Sequence, residues 1–267
     1  MVKDFRVAVV QAKVPQTREE GEAQVKRYID EAVKKSVDMI GLPEDCLASL
    51  KYAIEGYDPF KFLSQLAKDN KVYLFGANTF VEKDGGRRNI GFVFDREGKL
   101  LVRHNKIVLT PPEEKDGLIP GDTLKVFDTE FGKMSLLVCK DAFHRYAAWF
   151  FDQIRRAGAD VVLVPSYSLN VSKRSVGLWV DSLKTLSKWF DVYILAPGTI
   201  GLNNTDFASF GHALIICPNR EVLAEGSFDK EEILYAKLDV KNLEEIRNTY
   251  GSKWQPKEVP QVKLRVS

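Results

Sequence analysis

Three residues of this 267-residue chain, Glu44, Lys106 and Cys139, form a chemically complete set for acyl transfer. A thiol deprotonated by a neighbouring base attacks carbonyl or nitrile carbon well, so Cys139 is the candidate nucleophile. Glu44 would take the thiol proton and return one to a leaving amine. Lys106 and the backbone N–H of Lys140 would stabilise the developing oxyanion, a contribution of roughly 3–4 kcal/mol per well-placed donor. Taken singly, each type has an ordinary structural role: a strand-end cysteine packs, a loop glutamate caps a helix, a hairpin lysine faces solvent.

Their shared placement argues for chemistry. Glu44 follows an apolar run at 38–43 and Lys106 ends the second arm of a hairpin, 90–95 and 100–106, turned by Arg96-Glu97-Gly98. Cys139 closes the strand pattern at 133–139. Side chains just past the carboxyl ends of strands in α/β sheets converge on a crevice. Around these runs the pattern alternates between strand (6–12, 72–78) and helix (19–35 and a short one near Gln65 to Lys68), as α/β architecture requires. The second half repeats the order. A helix at 147–157 precedes Val161-Val162-Leu163-Val164-Pro165, which answers Met39-Ile40-Gly41-Leu42-Pro43. Residues 183–188 answer 63–68, Val192-Tyr193-Ile194-Leu195 answers Val72-Tyr73-Leu74-Phe75, and 211–217 with 220–225 form a second hairpin.

Two copies of a unit that each bury one sheet face stack most simply sheet on sheet, with helices outside. The expectation is a single α/β domain over 1–267, a four-layer α-β-β-α sandwich of two similar halves. Residues 242–267, with Pro256, Pro260 and little periodicity, read as a C-terminal extension that wraps the core or a second subunit.

Composition narrows the function classes. Hydrophobic residues at 45% and charged residues at 28%, without a long biased tract, describe an ordinary globular chain. A net charge of +2 from 39 basic and 37 acidic side chains gives no field that would favour nucleic acid or an anionic membrane. The run Val7-Ala8-Val9-Val10 is too short for a signal-peptide core or a membrane span, and three cysteines leave one unpaired. A reducing, cytoplasmic setting is expected. His104, His144 and His212 lack metal-ligand spacing, so no metal is expected, and neither a Gly-x-Ser-x-Gly elbow nor a phosphate loop occurs.

The chain resembles the carbon–nitrogen hydrolase (nitrilase-like) family over nearly its whole length. The likeness rests on Gly41-Leu42-Pro43-Glu44, His104-Asn105-Lys106-Ile107-Val108-Leu109, Leu137-Val138-Cys139-Lys140-Asp141 and Phe210-Gly211-His212-Ala213, in family order and spacing. The resemblance implies the α-β-β-α fold, a Glu–Lys–Cys triad on Glu44, Lys106 and Cys139, no cofactor, and assembly into homo-oligomers. It also implies a second glutamate that hydrogen-bonds Lys106, matched best by Glu114, with Glu113 a near competitor. After the nucleophile, relatives read roughly Cys-Tyr-Asp-x-Arg-Phe-Pro-Glu, whereas this chain reads Cys139-Lys140-Asp141-Ala142-Phe143-His144-Arg145-Tyr146. That departure bears on substrate identity more than on chemistry.

The expected activity is hydrolysis of a small linear amide through a thioester on Cys139. Nitrile or N-carbamoyl hydrolysis by the same steps is the alternative, as is a binding or assembly module that keeps the triad but turns over little. Lys140, His144, Tyr167 and Asn170 are the candidate substrate-binding residues.

Overall fold

A computed structural model describes residues 4–47, 59–169, 175–202, 208–240 and 243–250. The first half opens with β1 (Phe5–Lys13), α1 (Arg18–Ala32) and β2 (Met39–Gly41). It continues through α2 (Pro59–Asn70), β3 (Tyr73–Val81) and the hairpin of β4 (Arg87–Phe94) and β5 (Leu100–Asn105). A one-turn helix α3 (Pro111–Lys115) leads to β6 (Val126–Thr129) and β7 (Gly132–Leu136). Next come α4 (Ala147–Arg156), β8 (Val161–Leu163), α5 (Ser175–Phe190) and β9 (Tyr193–Ala196). The chain then runs through β10 (Gly198–Leu202), β11 (Ala208–Phe210), β12 (Leu214–Ile216), β13 (Val222–Glu225), β14 (Glu232–Leu238) and α6 (Leu243–Tyr250).

The expected repeat is present in the topology. One sheet runs β11-β10-β1-β2-β3-β4-β5, with β14 antiparallel along β1 on the edge that β10 continues; the other runs β6-β7-β8-β9-β12-β13. In each, three parallel strands feed an antiparallel hairpin. The strands alternate: Phe5, Val7 and Val9 of β1 meet Met134, Leu136, Val161 and Leu163 in a core between the sheets. Ala8, Val10 and Ala12 face the opposite way onto α1 and α2. On the second sheet Val162 and Ile194 face α4 and α5. These three apolar layers between four layers of structure are the α-β-β-α sandwich.

The helices are amphipathic in the manner their positions demand. Thr17 caps α1 by accepting the Glu20 N–H at 3.2 Å, and Gly21, Val25, Tyr28, Ile29 and Ala32 recur at helical spacing on its buried face. Gly21 has no alternative: a Cβ there would sit 2.0 Å from the Leu47 carbonyl oxygen, in the segment just after Glu44. Four strands lay outside the sequence expectation, β6, β10, β11 and β14, because each is short or lacks strict alternation. The C-terminal extension begins as α6, which packs on its own chain: Leu243 joins the inter-sheet core and Arg247 pairs with Asp160 at 2.8 Å. Most of that extension lies outside the described residues. Among the described residues no helix is long and apolar enough to cross a membrane.

Candidate active site

The three residues singled out by type and placement come together. Glu44 lies past β2, where the Leu42 N–H to Phe75 carbonyl bond (2.8 Å) carries the parallel pairing up to its doorstep. Lys106 continues the inward-facing alternation of β5 after Val102 and His104, and its N–H is held by the Asn89 carbonyl at 2.9 Å. Cys139 follows β7, its N–H bonded to the Pro165 carbonyl at 3.0 Å, and then turns sharply into a helical turn, Cys139–Ala142. Its φ of +46° is a left-handed conformation that a side chain adopts only under constraint, at roughly 1–3 kcal/mol. The turn presents the half-buried thiol, and the first N–H groups of such a turn, Lys140's among them, have no acceptor within it.

At the centre is a buried hydrogen-bonded ring. The Lys106 ammonium donates to Oε1 of Glu44 at 2.7 Å and to Oε1 of Glu113 at 2.9 Å. The Asn89 amide nitrogen donates to the same two oxygens, at 2.5 and 2.8 Å. Glu44, Lys106, Glu113 and Asn89 are all 2% exposed or less. The expectation that Glu114 serves Lys106 is therefore corrected: Glu113 occupies that place, and Glu114 is exposed on the rim of a neighbouring cleft. The reason is helix capping. Thr110 precedes α3, and Glu113 reaches back so that Oε2 accepts both the Thr110 N–H (2.7 Å) and hydroxyl (2.8 Å), which turns Oε1 inward. Thr110-Pro111-Pro112-Glu113 carries the capping-box pattern that marks this geometry.

The accounting of acceptor positions separates the two glutamates. An ionised carboxylate offers about four lone-pair positions. Glu113 has all four engaged, by Lys106, Asn89 and the two Thr110 donors. Glu44 has three, the third being the Tyr167 N–H to Oε2 at 2.7 Å. The Tyr167 carbonyl in turn accepts the Cys139 thiol at 3.6 Å, so one residue's peptide groups bridge nucleophile and carboxylate.

Electrostatics follow the same division. Burial opposes the charge on Lys106, yet the flanking Glu44 and Glu113 carboxylates outweigh it and hold its pKa well above the ordinary lysine value. Burial also opposes charge on Glu113, but Lys106 and the Thr110 donor keep it below the usual range, hence ionised. For Glu44 burial dominates, assisted by the Glu113 charge, and pushes the carboxyl upward despite Lys106. Burial and the Glu44 charge push the Cys139 thiol well up, so it rests protonated. Asp45, also buried, is pushed well up by burial and by Glu44 and Glu113.

Another buried carboxylate, outside this ring, ties the segments that carry Lys106 and Cys139 together. Asp141 accepts the N–H groups of Ile107 (3.0 Å) and Val108 (2.7 Å), just past Lys106, and that of Val138 (3.1 Å), just before Cys139. His104 Nε2 lies 2.9 Å from its Oδ2. Asp141 was visible in the sequence only as part of the motif around the nucleophile.

The candidate substrate-binding residues separate. Tyr167 joins the buried cluster through its backbone. Lys140 spends its ammonium on the Leu109 carbonyl at 2.5 Å. His144, its pKa lowered by burial, lines with Lys140 and Glu114 a cleft of about 650 Å³ beside the cluster. Asn170 lies outside the described residues. Among the described residues no group of three or more His, Cys, Asp or Glu could hold a metal ion.

A sandwich of two facing sheets with a buried glutamate–lysine pair beside a strand-end cysteine is the framework of a thiol-dependent acyl-transfer hydrolase. The chain belongs to the carbon–nitrogen hydrolase family, whose model matches residues 6–248. It is 30% identical to a hydrolase of Schizosaccharomyces pombe over 92% of this chain and 80% of that one. It is 28% identical to an omega-amidase of Mus musculus over 91% of both chains. Among solved structures, Saccharomyces cerevisiae Nit3, a member of branch 10 of the nitrilase superfamily, superposes with a TM-score of 0.83 at 24% identity, over 95% of this chain and 96% of that one. A Helicobacter pylori carbon–nitrogen hydrolase gives 0.85 at 20% identity, over 95% of each chain. These two likenesses carry the fold.

Proposed function

We propose that the protein hydrolyses a small linear amide through a thioester on Cys139. The observation that carries this reading is the asymmetry of the two carboxylates: Glu113 is saturated and ionised, while Glu44 keeps one acceptor position beside the thiol. In the first step the Cys139 proton moves to Glu44 as sulfur attacks the amide carbon. The oxyanion that forms is received by the Lys106 ammonium and the Lys140 N–H. The C–N bond then breaks, and Glu44 returns the proton to the leaving nitrogen, which departs as ammonia or an amine. Water, losing a proton to Glu44, attacks the thioester; the carboxylic acid leaves and the thiol recovers its proton. The omega-amidase relatives favour an amide over a nitrile or N-carbamoyl substrate.

Three further elements belong to the same reading. The described residues and the extension form one domain. The three unpaired cysteines suit a reducing, cytoplasmic setting. The protein assembles as a homo-oligomer, supported by Tyr146, Trp149, Leu178 and Trp189, each more than half exposed around the α4 and α5 segment. Introducing charge there, as in Trp149→Glu with Trp189→Glu, should then lower the mass in light scattering.

The test is intact-protein mass spectrometry and ammonia release across small amides, nitriles and carbamoyl compounds, with Cys139→Ala as control. An acyl adduct on Cys139 that is absent in the variant is expected for amides. A panel that yields neither adduct nor ammonia, while a partner protein is captured stably, would replace this reading with that of a binding module.

A further inference from the structure

Asn89 stands where no mechanism yet uses it. It lies in β4, its backbone carbonyl holds the Lys106 N–H at 2.9 Å, and its side chain is buried against two carboxylates. The orientation of the amide is fixed by its partners. Both facing atoms are carboxylate oxygens already bonded to Lys106, so only the nitrogen can point at them. The other end, Oδ1, is buried without a hydrogen-bond partner. A buried unpaired carbonyl is unfavourable, and a leucine of similar shape would avoid it. The residue is retained for its donor, not for packing.

We infer that Asn89 is a positioning residue of the reaction: one amide nitrogen pins Oε1 of both Glu44 and Glu113, which leaves Oε2 of Glu44, with its one open acceptor position, as the oxygen that acts as base. This rests on the hydrolase reading above. Without Asn89, Oε1 of Glu44 would keep only Lys106 as a partner. The carboxyl could then rotate about its terminal torsion, which is a broad one, and offer the wrong oxygen to the thiol. Precision of this kind decides rates, because small misplacements of a reacting group lower turnover steeply. The Asn89 donor also favours the ionised forms of Glu44 and Glu113. The charged and titratable groups facing Glu44 are Lys106 past β5, Glu113 of α3, Cys139 past β7 and its neighbour Asp45. None of them replaces this donor.

The experiment follows the pH dependence of Cys139 alkylation by iodoacetamide, which needs no knowledge of the substrate, and of amide turnover. Glu44→Gln should erase the acid limb of alkylation. If it does not, the role of Glu44 as base falls, independently of Asn89. With that limb assigned, Asn89→Leu should move it upward by about one pH unit, as expected for loss of one hydrogen bond to a charged group. It should also lower kcat about tenfold or more with KM within threefold, while the protein stays fully folded at the assay temperature. Asn89→Ser, which keeps a hydroxyl donor, should restore part of both effects. Coincident acid limbs in parent and Asn89→Leu, or a loss explained by a lower fraction of folded protein, would assign Asn89 a packing role only. Should neither variant fold, the residue is structural and the inference is overturned.

Discussion

Replacing Lys106 by methionine is the sharpest probe of the buried cluster. Methionine fills a similar volume but removes the cation shared at 2.7 and 2.9 Å by Glu44 and Glu113. Breaking a buried ion pair from one side costs about 3–5 kcal/mol, because the remaining charge is stranded. For a chain of this size 1 kcal/mol moves the melting temperature by about 2–4 °C, so a loss of roughly 6–20 °C is expected. The sign of the pH dependence is fixed. Without Lys106 the dominant effects on both carboxyls are burial and mutual repulsion, which raise their folded pKa above the unfolded value. Above the unfolded pKa the folded state then holds more protons than the unfolded one, so stability falls as pH rises through the folded pKa. The deficit relative to parent, followed by thermal unfolding, should be larger at pH 8 than at pH 5. Adding Glu113→Gln removes one stranded charge and should recover part of the loss at pH 8. A deficit under about 1 kcal/mol, or one equal at both pH values with no recovery in the double variant, would show that the cluster is wetter and less coupled than described.

Four other outcomes follow from the same geometry. Glu113→Gln should lower kcat on the order of a hundredfold, whereas Glu114→Gln, at an exposed position, should stay within about threefold. Because the Glu113 charge helps raise the Glu44 carboxyl, its removal should move the acid limb of kcat/KM to lower pH, opposite to the shift in Asn89→Leu. In the parent that limb should lie above the ordinary glutamate pKa, and a limb at or below it would contradict the burial of Glu44. Asp141→Asn exchanges one oxygen that accepts two donors for an N–H₂ group facing donors, and should reduce stability by about 2–4 kcal/mol in denaturant unfolding.

The repeat and the catalytic strands could be read from the residues because their signals are local. Apolar runs ending in Pro43-Glu44, Lys106 and Val138-Cys139 carry their own periodicity, and the matched Pro43 and Pro165 mark equivalent strand ends. The edge strand β14 escaped because its pairing along the whole of Phe5 to Gln11 is nonlocal, and its own face is only half-buried. Glu113 was available in the Thr-x-x-Glu pattern that opens α3, but the family resemblance was matched best to its neighbour. Asn89 stood one residue before the apolar run at 90–95, and only the three-dimensional approach of Glu44 and Glu113 gives it a partner set. Tyr167 was expected among the substrate-binding residues, and what reaches Glu44 and Cys139 is its peptide unit. Backbone contributions of this kind leave no trace in residue type.

The presence of Glu113 has a reason in charge balance. A lone Glu44–Lys106 ion pair in a dry site would hold Glu44 firmly ionised and make it a poor proton acceptor. Glu113 neutralises the ammonium instead, so the Glu44 carboxyl and the Cys139 thiol share one proton and one negative charge. In the proposed reaction that charge moves from Glu44 to sulfur and on to the substrate oxygen, always within reach of the same Lys106. The net charge of the buried cluster stays constant at every step. A low-dielectric site penalises the creation of charge far more than its short displacement between fixed partners. The saturated carboxylate therefore takes no proton itself, yet it sets the conditions under which its neighbour can.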